Sequence, residues 1–323
     1  MTLLIRHGEV VSSTSMADAI VAMESAFLEE GNGGVTLPAR INVKAGKGWL
    51  RVGPVVLEHS GWMGFKAMNL VPGQGVRYQV HLYRIETGEL LAIMDAQHLT
   101  TLRTGATSAV ATRRLARKGP ATIALIGAGA EARAQLEAMQ ALGIVRQVRV
   151  YSRTPTSREA LATDFRAQYG MDMKVVDSGR EAVEGSDIVL AAVKSSETVL
   201  FGEWLKPGMH VNSVGTARRD QREIDPEVFS RSEVIVVDTR EGVFGEAGDA
   251  VAAKDVVKPE DVYELCALVS GKAPMRSNDE QITLFKSVGT GVQDIALAAV
   301  VYQNALKAGL GISIDGFPIL KQG

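Results

Sequence analysis

Gly127-Ala128-Gly129-Ala130-Glu131-Ala132 is a GxGxxA run that follows the apolar stretch TIALIG and opens a segment of helical spacing. In that context each small residue has a task. Gly127 permits a tight turn, Gly129 lets a pyrophosphate approach the backbone, and Ala132 lets helix and strand pack closely. The helix start then faces an anion with N–H groups that have no partner within the helix. A glycine turn can also join strand to helix without any ligand; the second strand–helix unit that follows favours a dinucleotide. Ser152 lies 25 residues after Gly127, where a ribose-binding Asp or Glu is expected, and the chain there reads Ser152-Arg153-Thr154. A carboxylate would bond the 2′-hydroxyl of NAD and repel the 2′-phosphate of NADP. Arg153 instead offers that phosphate a charged fork flanked by two hydroxyls. The plainer alternative is a surface arginine in a loop. With the glycine motif at this distance, NADP(H) is the expected cofactor and NAD(H) the alternative.

Such a site needs strands alternating with helices. TIALIG is followed by a helix to about residue 142, then VRVYS, a helix over 157–169, MKVVD, DIVLAAV, HVNSVG and EVIVVD. This order predicts an α/β, doubly wound parallel sheet. Upstream, residues 15–30 place Met16, Ile20, Met23 and Phe27 at helical spacing, with Ser15 and Asp18 forming a capping box and Gly31-Asn32-Gly33-Gly34 ending the helix. Residues 35–95 change to short β-like runs, WLRVG, WMGFKAMNL, RYQVHLYRI and LLAIMD, the last two joined by a hairpin turn at Glu86-Thr87-Gly88-Glu89. Residues 95–118 return to helical spacing with a basic last turn. Gly119-Pro120 then marks a domain boundary. A final helix over about 287–308 leads into a short tail, ISIDGFPIL.

The length of 323 residues suffices for two domains with separate cores. With 46% hydrophobic residues and a net charge of −2, the composition is that of an ordinary globular protein. Lysines and arginines are spread along the chain, which argues against a nucleic-acid or anionic-membrane partner. Cys266 is the single cysteine, so an internal disulfide and a Cys-based zinc cluster are both excluded. His81 and His98 lack metal-ligand spacing and read as structural, as Trp62 and Tyr83 read as packing residues; no metal is expected. No apolar run approaches the roughly 20 residues of a membrane span. The opening MTLLIRHGEVV turns polar too soon for a signal peptide, and a cytoplasmic location is expected.

PARINV, GFKAMN, LTTLRTGATSAVAT, ALIGAGAEA, GMHVNSVG, REID and FKSVGTGVQDIA follow one another in this order. Together they resemble the ornithine cyclodeaminase/μ-crystallin family over nearly the whole chain. The resemblance implies a Rossmann domain plus an α+β substrate and dimerisation domain built from both chain ends, and a homodimer. The corresponding boundaries are 1–119 completed by 293–323 for the substrate domain, and 120–292 for the dinucleotide-binding domain. It further implies that Arg40 and Arg103 hold a substrate α-carboxylate and that Lys66 stands beside the reacting carbon. Thr104 matches a segment near the cofactor phosphates. Val214-Gly215 and Lys286-Ser287 match stretches near the nicotinamide, and Glu246 a substrate-side acid of the crystallin branch. Ala192 and Val193, at the end of DIVLAAV, complete the expected cofactor contacts with Gly127, Ala128, Gly129, Ala130 and Glu131.

The chemistry of these residues agrees with that assignment. A 2-oxo or 2-imino acid needs its carboxylate pinned by cations so that its C2 meets the nicotinamide, and paired arginines do this well. A lysine close to two arginines should have a lowered pKa, suited to proton exchange near neutrality. A solvent-facing strand lysine is the alternative, but WMGFKAMNL is apolar on both faces.

Two positions depart from the deaminase pattern. Ornithine cyclodeaminases carry a glutamate where this chain has Arg51, and an aspartate after the VG turn where it has Ala217; Asp220 is nearby but three residues along. Arg51 would repel a distal amine. The expected function is therefore NADPH-dependent reduction of a small imino acid, such as Δ1-pyrroline-2-carboxylate or Δ1-piperideine-2-carboxylate. The alternatives are ornithine cyclodeaminase or an alanine-dehydrogenase-like enzyme, and a non-catalytic NADPH-dependent binder.

Overall fold

The computed structural model describes residues 1–320. The chain divides into two compact units, Met1–Arg103 together with the segment from Thr290 onward, and Thr104–Gly289. The β-like runs of residues 35–95 pair antiparallel in the first unit. Its sheet runs Ile312–Ile314, Thr2–Ile5, Leu90–Asp95, Gly75–Arg84, Trp62–Val71, Gly48–Leu57 and Val35–Thr36, with Ile41–Ala45 also paired to Gly48–Leu57. Alternation sends Val80, Leu82, Leu90, Ala92 and Met94 into the core. The helix Gly291–Ala308 lies on this sheet and buries Val292, Ile295, Ala298, Ala299 and Val301. Its close approach needs Gly64, where a side chain would meet Ile295 Cδ1 at 2.9 Å. The helix Met16–Gly31 packs beside it. Ser15 and Asp18 form the expected capping box, and Met23 and Phe27 are fully buried, each contributing about 1.5–3 kcal/mol.

The second unit holds a parallel eight-stranded sheet in the order Met173–Val175, Val145–Tyr151, Ala121–Ile126, Ile188–Ala191, His210–Ser213, Thr283–Lys286, Val234–Val237 and Tyr263–Glu264. Ala121–Ile126 and Ile188–Ala191 are buried at every residue, as strands covered on both faces must be. Strand order reverses between these two, the place where an open α/β sheet forms a ligand crevice. This is the expected α/β, Rossmann-type doubly wound sheet, and the first unit is the expected α+β unit built from both chain ends.

Several details differ from the sequence reading. The units change over after Arg103 and before Thr290, not at Gly119-Pro120 and 293, because the helix Gln97–Leu115 contributes its later turns to the core of the second unit. The final helix begins at Gly291, and the residues before it, Thr283–Lys286, are a strand inserted between His210–Ser213 and Val234–Val237. The terminal stretch ISIDGFPIL supplies Ile312–Ile314, which pairs antiparallel with Thr2–Ile5. Among the described residues, no helix is long and apolar enough to cross a membrane.

Candidate active site

In the first unit, Lys66 sits mid-strand with Gly53 and Val80 as its cross-strand neighbours. Only 3% of it is exposed. Its Nζ donates to Asp294 Oδ1 at 2.9 Å and to Thr100 Oγ1 at 3.1 Å, and lies 5.4 Å from the centre of the Tyr78 ring. Asp294 belongs to the first turn of Gly291–Ala308, where the helix dipole favours a carboxylate. The same Oδ1 accepts from Arg103 Nε at 3.0 Å, while Arg103 Nη1 donates to Gln293 Oε1 at 2.8 Å. Arg40 lies over Gly53, its Cγ 3.8 Å from where a Cβ there would stand. Lys66 from its strand, Arg103 from the helix Gln97–Leu115 and Arg40 from the segment before Ile41–Ala45 thus gather around one acid, leaving a surplus of positive charge there.

Electrostatics follow from that packing. Burial lowers the Lys66 pKa most strongly, and Arg103 and Arg40 lower it further against the pull of Asp294, which leaves it at about 8. Burial opposes ionisation of Asp294, but Lys66, Arg103 and Arg40 outweigh it and hold the carboxyl below its ordinary range. Arg51 pairs with Met68, two residues along from the Gly53–Lys66 pair, so its side chain leaves the sheet on the Lys66 face. Its Nε donates to Asn42 Oδ1 at 2.6 Å and its guanidinium lies over Trp49.

In the second unit, Gly127 has φ +121°, and a Cβ there would stand 2.7 Å from the Ala192 carbonyl oxygen and 3.2 Å from Val193 Cγ1. Its N–H donates to the Tyr151 carbonyl at 2.9 Å, which sets the glycine turn beside the end of Val145–Tyr151. Gly129 is the N-cap of Ala130–Ala141 and a side chain there would meet nothing within 4 Å, so its backbone can be approached. Ala132 is fully buried against the sheet. These are the features a pyrophosphate cradle requires, and the donor set fits a dinucleotide.

Ser152, Arg153 and Thr154 follow the same strand end. Ser152 Oγ donates to the Thr154 carbonyl at 3.0 Å, Arg153 is exposed, and Thr154 caps Pro155–Tyr169. Arg158, which the sequence reading passed over, braces this loop: it donates to the Ser152 carbonyl at 3.3 Å and to Asp177 at 2.7 Å. Thr104 is buried, and its carbonyl accepts from Gln135 Nε2 at 3.2 Å.

Lys286 ends the strand Thr283–Lys286, and Ser287 follows it. The Lys286 side chain is fully buried and donates to Asp249 Oδ2 at 2.7 Å and to Ser213 and Thr216 hydroxyls at 2.9 Å each. Ser287 Oγ donates to Asp238 Oδ2 at 2.7 Å. Both side chains therefore brace neighbouring turns and present no polar atom outward. Asp220 is gripped by Arg218 through two contacts at 2.9 and 2.6 Å, and Ala217 supplies no carboxylate. Glu246 ends the helix Arg240–Glu246 in this unit, half-buried.

Asp294, Gln293 and Thr100 lie within LTTLRTG and FKSVGTGVQDIA but are not among the residues expected from the sequence. The available signal was an Asp and a Gln side by side at the start of an otherwise apolar helix. Among the described residues, no group of His, Cys, Asp and Glu could hold a metal ion.

Comparison with known proteins supports the reading of the motifs. The profile of the ornithine cyclodeaminase/mu-crystallin family matches residues 2–309. An alanine dehydrogenase of Archaeoglobus fulgidus is 34% identical, over 98% of this chain and 99% of its own. The ketimine reductase mu-crystallin of Mus musculus is 33% identical, over 91% of this chain and 93% of its own. The structure of Thermococcus litoralis Δ1-pyrroline-2-carboxylate reductase, in complex with NADH and L-proline, is 36% identical with a TM-score of 0.91, covering 97% of this chain and 100% of that one.

Proposed function

The chain belongs to the ornithine cyclodeaminase/mu-crystallin family, and on that premise we propose that it is an NADPH-dependent reductase of a small imino acid. The observation that carries the reading is Lys66, buried against Asp294 with a pKa of about 8 and flanked by Arg103 and Arg40. The surplus positive charge suits an α-carboxylate, and Arg40 and Arg103 are the groups that fix it. The cofactor, when bound, supplies hydride to C2. Lys66, as its ammonium, gives the proton that the nitrogen requires, directly or through water. Gly127, Ala128, Gly129, Ala130 and Glu131 form the phosphate turn with Thr104 nearby, and Ala192, Val193, Val214 and Gly215 form the adjoining edge of the crevice. Lys286 and Ser287 act from beneath it. Arg153 with Ser152 and Thr154 is the proposed holder of a 2′-phosphate, and Glu246 a substrate-side acid. The reading includes a homodimer and a cytoplasmic location.

A cyclic imine such as Δ1-pyrroline-2-carboxylate or Δ1-piperideine-2-carboxylate carries no distal ammonium for Arg51 to repel, which favours it over L-ornithine. The Archaeoglobus relative supports a second reading, in which the same clamp holds the imine of pyruvate and ammonia. A panel of NADPH and NADH oxidation assays decides among them, using the two cyclic imines, 2-oxo acids with ammonia, and L-ornithine with catalytic NAD. We expect the fastest turnover with a cyclic imine and NADPH. Ammonia release from ornithine would replace the proposal with a deaminase, and tight NADPH binding without turnover on any imine would replace it with a binder.

A further inference from the structure

Glu223 is fully buried in the second unit, yet its carboxylate is shared between two separate turns. Oε2 accepts from the Val193 N–H at 3.0 Å; Oε1 accepts from the Ser213 hydroxyl at 2.7 Å and from the Gly215 N–H at 2.8 Å. Every one of these neighbours is a donor, so the site calls for an acceptor-only group, which an ionised carboxylate is and a carboxamide is not. Lys286 supplies the compensating charge, with Nζ 3.6 Å from Glu223 Oε1 and 2.7 Å from Asp249. Asp249 in turn accepts from the backbone N–H groups of Glu223 at 2.6 Å and Ile224 at 3.1 Å, and from Thr216. The cluster is thus closed, and its reach outward is through backbone.

That backbone is the edge of the crevice at the strand-order reversal. Val193 follows Ile188–Ala191, the strand beside the glycine-motif strand, and Val214-Gly215 follows His210–Ser213. The contact is close on both sides. A side chain at Gly215 would run into the Val193 backbone and the Glu223 carboxylate, and one at Gly127 would stand 2.7 Å from the Ala192 carbonyl. Gly127, Ala192-Val193 and Gly215 therefore pack in series, and Glu223 is the group that ties the last two together.

We propose that Glu223 is a positioning residue for the dinucleotide, fixing the Val193 and Gly215 turns as one wall of its crevice, with Lys286 beside its carboxylate and Asp249 anchoring its backbone. The proposal rests on the cofactor reading above. Glu223→Gln turns at least one N–H toward a donor and should release one of the two turns. Titration of NADPH fluorescence should give a Kd raised tenfold or more, and steady-state kinetics a raised KM for the cofactor with the imino-acid KM unchanged. In the nucleotide-free protein, amide exchange should accelerate at Val193 and Gly215 and stay unchanged in Ala121–Ile126. A wild-type Kd, or exchange accelerated evenly across the sheet, overturns the proposal. Failure of the unaltered protein to bind NADPH or NADH instead overturns the cofactor reading. If Glu223→Gln does not fold, Ser213→Ala removes one donor and leaves the charges intact. It should weaken NADPH about threefold with the same local exchange, and an unchanged Kd there overturns the proposal equally.

Discussion

Asp294 Oδ1 serves two cations at once, the Lys66 ammonium and the Arg103 guanidinium, and that sharing sets how readily Lys66 gives up its proton. Burial favours the neutral amine and Asp294 the charged one; with Arg103 and Arg40 added, the balance falls at about 8. At pH 7 most Lys66 is protonated, so a donor is available for the imine nitrogen. As pH rises through about 8 that proton is lost, and kcat/KM for imine reduction should fall along the same limb. Asp294→Asn removes the strongest influence that raises the Lys66 pKa, so the limb should move to lower pH and activity at pH 7 should drop by roughly tenfold or more. A pH–rate profile of the two proteins checks this. A variant that is slower at every pH with an unmoved limb would make Asp294 merely structural and remove Lys66 as donor. Lys66 could be read from its apolar strand, because a charge with no exposed face is conspicuous. Asp294 could not, since it meets Lys66 across 228 residues and only the folded sheet brings the helix start to it.

At the scale of elements, the glycine turn joins the strand Ala121–Ile126 to the helix Ala130–Ala141 in a conformation that few residues other than glycine adopt. Gly127→Ala places a Cβ against the Ala192 carbonyl at a φ of +121°, a strain of about 1–3 kcal/mol. We expect the melting temperature to fall by several degrees and the NADPH Kd to rise about tenfold, read by thermal melting and fluorescence titration. An unchanged Kd would mean that the turn does not cradle the phosphates. This strand–turn–helix unit was legible because a short, continuously apolar run gives way to helical spacing at a glycine, and local spacing is all that such a pattern needs. The insertion of Thr283–Lys286 between His210–Ser213 and Val234–Val237 was not legible. Its short apolar run adjoins the final helix, and the order of strands in a sheet is decided by connections that leave no local mark. The same limit explains the unit boundary. Gly119-Pro120 breaks the local pattern, but Gln97–Leu115 is one uninterrupted helix whose two parts pack into different cores.

For the whole molecule, the consequence of a dinucleotide site is a linkage between cofactor and stability. A ligand that binds only the folded chain adds RT ln(1 + [L]/Kd), about 2.7 kcal/mol at a concentration of 100 Kd. Two compact units need not unfold together, so the shift is followed transition by transition in calorimetry. Arg153 is exposed at the end of Val145–Tyr151, and its replacement should change the nucleotide-free protein by no more than about 0.5 kcal/mol. That leaves the cofactor-dependent part cleanly separable. At equal concentration NADPH should raise the melting temperature more than NADH, because only NADPH carries the phosphate that the guanidinium can grip. In Arg153→Asp the NADPH shift should shrink by the equivalent of a tenfold or greater loss of affinity, since a charge-assisted bond worth about 1.5–3 kcal/mol is replaced by repulsion. The NADH shift should stay within about twofold in affinity, because a carboxylate there can accept the ribose hydroxyl instead. Equal shifts with both nucleotides, before and after the substitution, would sink the 2′-phosphate assignment while leaving the glycine cradle and the Lys66 site untouched.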